Sequence, residues 1–172
     1  MRTRQPLPRL WLMTDERQGD GLFAAIDRLP EGAGIVFRHY GLAEVARRDL
    51  FDRVRSAAPG PVLLAGPADQ ARAWGADGSH GRGPGQGLRS APVHDWAEIR
   101  AAERAGADLL FLSPVYATSS HSGARTLGLA LFAWLARRTP LPVIAMGGMN
   151  QTRGRRLASF GAYGWAGIDA WQ

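Results

Sequence analysis

The chain has 172 residues and a formal charge of +6, with no cysteine, and all 21 of its basic residues are arginine. One domain with a substantial core is therefore expected, while disulfides, thiolate nucleophiles, thiolate metal sites and lysine Schiff-base chemistry are excluded. The arginines are dispersed, with no basic run interleaved with aromatics. This ranks a solvated surface, or a preference for anionic substrates, above a nucleic-acid partner. No apolar run approaches the ~18 residues of a membrane span, and the apolar stretch after the arginine-containing start is too short for a signal peptide. A cytoplasmic, enzyme-like domain is the default expectation.

Taken in order, Leu10-Trp-Leu-Met13 reads as a first strand leaving through Thr14-Asp15, and Gly21 to Leu29 as a short helix stopped by Pro30. Gly34 to Arg38 is a second strand. Leu42 to Ala57 is a long helix whose inward stripe is expected to be Leu42, Val45, Leu50, Phe51 and Val54. Pro61 to Ala65 is a third strand, and Asp69 to Trp74 a brief helix. The segment Gly75-Ala-Asp-Gly-Ser-His-Gly81 carries a fourth strand, after which Arg82-Gly-Pro-Gly-Gln-Gly87 stands where a helix would be expected. Leu88 to Val93 is the fifth strand. Asp95-Trp-Ala-Glu98 predicts a capping box for a helix that Gly106 ends.

A βαβ unit follows: the apolar run Ala107 to Val115, a polar loop to Gly123, a helix from Leu127 to Arg138, and a second apolar run from Leu141 to Met146 ending in Gly147-Gly148. Asn150 caps a helix from Gln151 to Phe160, and Tyr163 to Ala170 is the last strand. Strands alternating with helices predict a parallel sheet whose ligands collect beyond the carboxyl ends of the strands. A chain ending at Gln172 leaves no room for a final helix, so Trp165 or Trp171 is expected beside an opening in the outer wall. A partner subunit or the extended N-terminus would cover it, which makes a homo-oligomer one expectation.

The run Gly106-Ala-Asp-Leu-Leu-Phe-Leu-Ser-Pro-Val-Tyr-Ala-Thr-Ser-Ser-His-Ser-Gly-Ala-Arg-Thr-Leu-Gly128, with Pro142-Val-Ile-Ala-Met-Gly-Gly-Met149, resembles the thiamine phosphate synthase and thiazole tautomerase family. In that family a Gly-Pro-Val-Phe-Pro-Thr-x-Thr-Lys loop is followed, one helix later, by a strand ending Gly-Gly-Ile. The opening strand, the Ala-Asp-Gly-Ser-His segment and Gly161-Ala-Tyr-Gly-Trp-Ala-Gly-Ile-Asp-Ala170 are similar to further family motifs. The resemblance implies a TIM-type (β/α)8 barrel, here trimmed, as a single domain over residues 1–172. Helix four would be replaced by a loop and the final helix would be absent.

The resemblance also implies site residues. Arg38 keeps the arginine of a Gln-x-Arg-x-Lys pattern and can hold a phosphate bidentately; alternatively it bridges strand and helix ends. Thr118 and Ser120 match hydroxyl positions of the diphosphate loop, and His121 takes its lysine position, against a reading of ordinary loop residues. Arg38 and His121 would serve the chemistry. Thr118 and Ser120 would bind diphosphate, while Gly147, Gly148, Gly167 and Ile168 approach thiazole phosphate. A structural turn is the alternative for the glycine pair. Asp169 stands at a phosphate-binding serine position, so either Arg153 or another arginine compensates for its charge or the ligand differs.

The family's magnesium carboxylates fall at Ala65-Gly66 and near Gly85, so no metal ligand is assigned. Magnesium would require other oxygen ligands. The tautomerase histidine falls at Pro114. His80 and His94, near strand ends, are either acid–base groups or hydrogen-bonded structural residues, and Asp77 is either a turn residue or a catalyst. The leading expectation is a transferase of thiamine biosynthesis joining hydroxymethylpyrimidine diphosphate to thiazole phosphate. A metal-independent tautomerase and a noncatalytic barrel binding a thiamine precursor or a partner protein are the alternatives. Nucleic acid and membrane are not expected partners.

Overall fold

The computed structural model describes residues 6–85, 87–118, 123 and 125–171. Its strands are β1 Leu10–Met13, β2 Gly34–Phe37, β3 Val62–Ala65, β4 Gly78–His80, β5 Leu88–Val93, β6 Leu109–Leu112, β7 Val143–Ala145 and β8 Gly164–Gly167. Each pairs in parallel with the next, and β8 returns to β1 through Leu10↔Trp165, Trp11↔Ala166 and Leu12↔Gly167, closing the barrel. Strands covered on both faces read as continuous apolar runs rather than alternating ones. β2, β3 and β6 are accordingly buried at every position.

Six helices wrap the barrel among the described residues: α1 Gly21–Asp27, α2 Glu44–Ala57, α3 Ala68–Ala73, α4 Trp96–Arg104, α5 Gly128–Ala136 and α6 Gln151–Ala158. Strand alternation divides the core. Trp11, Met13, Val36, Leu63, Ala65, Leu109, Phe111, Ile144 and Ala166 fill the barrel interior, whereas the opposite strand faces pack against helices. Gly34 makes room for the largest interior residue, since a Cβ there would lie 2.3 Å from the Trp11 ring. Trp11 meets Phe111 edge-on at 5.5 Å, and its indole N–H donates to the Pro8 carbonyl at 2.8 Å. The bottom of the barrel is thus plugged.

No helix connects β4 to β5 among the described residues. Gly85 in that loop packs against Ala68 of α3, and Arg89, pointing outward from β5 and nearly buried, fills the gap. Its guanidinium donates to the carbonyls of Ala105, Gly106 and Gly83, placing a cation at the negative end of α4. At the other weak point of the wall, Trp171 stacks on buried Trp165 with centroids 5.0 Å apart and joins both outer clusters. That indole occupies the place where an opening was expected.

Two caps behave as their sequences predict. The Asp95 carboxylate accepts from Glu98 N at 2.8 Å, and the Asn150 side chain from Arg153 N at 2.9 Å. Glu98, however, does not close a capping box onto Asp95; it reaches one residue further back, to His94 N at 2.8 Å. The α2 stripe also differs. Phe51 and Val54 are buried, but Val45 is 84% exposed and the inward position one turn from Phe51 belongs to Arg47, 8% exposed.

Candidate active site at the barrel mouth

The carboxyl ends of the strands open into two adjoining lobes that share Arg38, His94, Ser113 and Met146. One, about 380 Å³, lies over β6 to β8 and includes Thr118, Gly147, Gly148, Asn150, Arg153, Gly167, Ile168 and Asp169. The other, about 600 Å³, spans β1 to β5 and includes Tyr40, Gly66, His80, Gly81 and Arg82. Barrel closure brings together Arg38, Thr118, Gly147, Gly148, Gly167 and Ile168, from three separate strand–helix connections and the end of β8. Ser120 and His121 lie outside the described residues.

Arg38 both faces the mouth and is held from behind. Its Nε donates to the Thr14 carbonyl and its Nη2 to Asp15 Oδ2, each at 2.8 Å. Asp15 Oδ1 accepts from Arg17 N and Nε at 3.1 and 2.7 Å. Burial pushes the Asp15 carboxyl up, but the Arg17 hydrogen bonds and the Arg38 and Arg17 charges outweigh it and hold it below its ordinary value. Arg38 is thereby a pre-oriented cation.

Behind it, Arg47 Nη2 donates to the carbonyls of Arg38 at 2.9 Å and Ala65 at 2.8 Å, tying the ends of β2 and β3 together. This guanidinium is surrounded by Trp74, Tyr40 and Phe37 at 5.3, 5.5 and 5.8 Å from the ring centroids. Burial lowers its pKa, with the Tyr40 and Glu16 interactions opposing that shift.

Gly147 and Gly148 have φ of +95° and +60°, a region L side chains rarely adopt. Their close approach is to the chain itself: added Cβ atoms would lie 2.8 Å from Pro114 and 2.5 Å from the Ala117 carbonyl oxygen. Tyr116 N donates to Gly147 O at 3.2 Å, and Arg153, stacked 4.5 Å over the Tyr116 ring, donates to Gly148 O. The glycine pair seats the loop carrying Thr118 while its backbone still lines the lobe. Across from it, Gln18 Nε2 donates to Ile168 O at 2.9 Å, and the Asp169 charge is felt by Arg17. Arg17 joins Arg153 as a cation near that carboxylate.

The histidines separate by environment. His80 Nδ1 lies 2.8 Å from Ser90 Oγ and its ring meets Phe111 edge-on at 5.0 Å. Burial, with a smaller effect from Arg38, pushes its pKa down to about 3. His39 stacks on Phe37 at 4.9 Å and pairs with Thr14 Oγ1 at 2.9 Å, and it lines neither lobe. His94 instead stands at the junction of the lobes. Asp77 is a turn residue at the opposite barrel end, accepting from Val62 N at 2.9 Å.

The residues at the family's magnesium positions do not fit that ion. Ala65 offers only a carbonyl already bonded to Arg47, Gly66 offers no side chain, and Gly85 is packed against Ala68. Asp69, the carboxylate of the neighbouring cavity, accepts from Gln70 N at 2.9 Å. Among the described residues no three His, Asp or Glu side chains are grouped to hold a metal.

A putative thiamine-phosphate synthase 2 of Aquifex aeolicus is 30% identical over an alignment of 182 positions, spanning 95% of this chain and 97% of the relative. The chain belongs to the thiamine-phosphate synthase family. The family model described as thiamine monophosphate synthase matches residues 90–171, from β5 to the stacked Trp171. The thiamine-phosphate synthase of Myxococcus xanthus is 40% identical over 98 residues, 56% of this chain and 41% of that protein. The fold matches the thiamine phosphate pyrophosphorylase of Pyrococcus furiosus with a TM-score of 0.76 at 22% identity, covering 95% of this chain and 86% of that one. No helix among the described residues is long and apolar enough to cross a membrane.

Sequence reading missed Arg47, Arg82 and the pairing of His94 with Glu98. The available signal was Glu98 at the third position of a helix capped by Asp95, from which a carboxylate reaches back to the chain before the helix.

Proposed function

We propose that this barrel is a thiamine-phosphate synthase that joins a pyrimidine alcohol diphosphate to thiazole phosphate. The observation that carries this reading is the pair of adjoining lobes at the mouth, sharing Arg38, in a chain with a family relative along 95% of its length. Thiazole phosphate would occupy the β6–β8 lobe. There Gly147, Gly148, Gly167 and Ile168 present backbone at close range and Arg153 supplies charge. The pyrimidine diphosphate would extend across the β1–β5 lobe with Arg38 on its phosphates, and Thr118 would meet those phosphates from the adjoining β6–β8 lobe; Ser120 and His121, the further candidates of the β6–α5 loop, lie outside the described residues.

The reaction breaks the carbon–oxygen bond to diphosphate and forms a bond from the thiazole nitrogen to the same carbon. Charge stabilisation and alignment suffice; no protein nucleophile is required. Arg38 is suited to this because Asp15 and Thr14 hold it in place before substrate arrives. The preorganised side chain loses little further freedom on binding.

The decisive experiment incubates purified protein with hydroxymethylpyrimidine diphosphate and thiazole phosphate, in magnesium and in chelator, and follows thiamine phosphate. Product in either condition, reduced at least about tenfold in Arg38→Gln, is the expected result. A folded protein that makes no product in both conditions overturns the reading and leaves precursor binding without turnover.

A further inference from the structure

His94 and Glu98 form a protonatable pair aimed at the junction of the two lobes. Glu98 Oε2 accepts from both His94 N and His94 Nδ1, each at 2.8 Å, so one oxygen fixes the backbone and the ring. The other oxygen, Oε1, is bound by Arg82 Nη2 at 2.6 Å. Burial pushes the Glu98 carboxyl up, but the His94 hydrogen bonds and the charges of His94 and Arg82 prevail and hold it below its ordinary value. An ionised carboxylate only accepts hydrogen bonds, which assigns the proton to Nδ1 and leaves Nε2 for exchange with a ligand. The side chain of His94 is 49% exposed and lines both lobes.

The charged and titratable groups around it come from every neighbouring element. Arg38 follows β2, Tyr40 and His80 line the same lobe, Arg82 lies in the β4–β5 loop, and Glu98 stands behind on α4. Arg153 and Asp169 face it from the other lobe. The cations Arg38 and Arg82 line the β1–β5 lobe together with the imidazole, and Asp15 and Glu98 pair with those cations. An anion entering there meets fixed positive charge and a ring whose free nitrogen can carry a proton.

We propose that His94, positioned by Glu98, protonates the departing diphosphate, and that with Arg38 and Arg82 it forms a metal-independent site for diphosphate anions. This rests on the synthase reading for the role in turnover. The step balances: the carbon–oxygen electron pair goes to the diphosphate oxygen, the Nε2 proton of the imidazolium transfers to that oxygen, and the thiazole nitrogen lone pair forms the new carbon–nitrogen bond. His94 ends neutral, its Nδ1 keeping its proton in the hydrogen bond donated to Glu98, and solvent returns the other proton. Charge neutralisation that the magnesium positions cannot supply comes from the protein's own cations.

The test uses inorganic pyrophosphate and the full chain in chelator. The chain has four histidines, and His94→Gln and His121→Gln variants assign the imidazole signals of His94 and His121 by NMR. Saturating pyrophosphate should raise the His94 titration midpoint by at least one pH unit, equivalent to about tenfold tighter binding to the protonated form. Pyrophosphate should bind more tightly at pH 6 than at pH 8. His94→Gln should abolish most of that dependence, and Glu98→Gln should lower the His94 midpoint without unfolding the protein.

In turnover, His94→Gln should lower kcat about 10²- to 10⁴-fold and remove the alkaline limb of the pH profile. Pyrophosphate that binds only with magnesium, leaves the His94 titration unmoved, or does not bind overturns the anion site, whatever the synthase assay gives. A shifted titration in a protein that makes no thiamine phosphate overturns the proton-donor role and the synthase reading while supporting the anion site.

Discussion

Replacing Arg47 by alanine tests whether a buried cation holds the mouth together. The guanidinium donates to Arg38 O through Nε and Nη2 at 3.1 and 2.9 Å, to Ala65 O at 2.8 Å and, more weakly, to Gln70 Oε1 at 3.4 Å. Truncation strips donors from two strand-end carbonyls, at about 1–3 kcal/mol for each buried acceptor left unsatisfied. Lost stacking over Trp74, Tyr40 and Phe37 adds about 1 kcal/mol. Relief from burying a guanidinium offsets part of this. The net expectation is a loss of about 3–5 kcal/mol, measured as a lower urea midpoint with an unchanged denaturant slope. Arg48→Ala is the control. Its neighbouring guanidinium pairs with Asp52 on an exposed face, and the loss there should stay within about 1 kcal/mol. If Arg47→Ala costs no more than Arg48→Ala, the strand-tying role is wrong.

Two further outcomes are expected. His80 is neutral when folded, with a pKa of about 3, against about 6.5 in an unfolded chain. The unfolded state therefore takes up the proton first, and this contribution to stability is complete above about pH 6.5. It is lost at about 1.4 kcal/mol per pH unit as pH falls toward about 3. His80→Asn, with an amide able to keep the Ser90 contact, should flatten the acid limb of a stability–pH curve; an identical slope in both proteins would refute the assignment. Gly148→Ala places a Cβ 2.5 Å from Ala117 O at a φ of +60°. A cost of about 2–3 kcal/mol is expected from left-handed backbone strain and overpacking, together with weaker thiazole phosphate binding by calorimetry. Unchanged stability and affinity would show that the loop carrying Thr118 does not depend on this seat.

Much of the architecture is legible in local pattern. The cores of all eight strands fall within the apolar runs and motif segments marked from sequence; most are apolar because both faces are covered, while β4 and β5, with buried Ser79, His80, Arg89 and Ser90, were marked by their motif and flanking glycines. Asp95 and Asn150 cap their helices as their positions require, since the first amides of any helix need an acceptor. The loop in place of a helix after β4 follows from glycine and proline, which disfavour continuous helix. Element ends were less well marked: β6 is Leu109–Leu112 within a longer apolar run, because ladder pairing rather than hydrophobicity decides where a strand stops.

The mouth was less legible, and Arg47 shows why. A periodicity argument assigns arginine to the surface and valine to the core, yet Val45 is exposed and Arg47 buried. Its partners are backbone carbonyls at the ends of two strands, which no side-chain pattern announces. Gly147-Gly148 was visible as a place of close backbone approach, but the approaching group includes the chain's own Pro114–Ala117 loop. Sequence alone determined the alternation of strands and helices and the strand ends where ligands gather, because these follow from short-range periodicity and residue type, while the barrel class came through the resemblance that the family motifs carry. Only tertiary structure decided that Arg38 rests on Asp15, that His94 and Arg82 converge on Glu98, and that both lobes share one set of residues. Those juxtapositions arise when barrel closure brings separate loops to one rim.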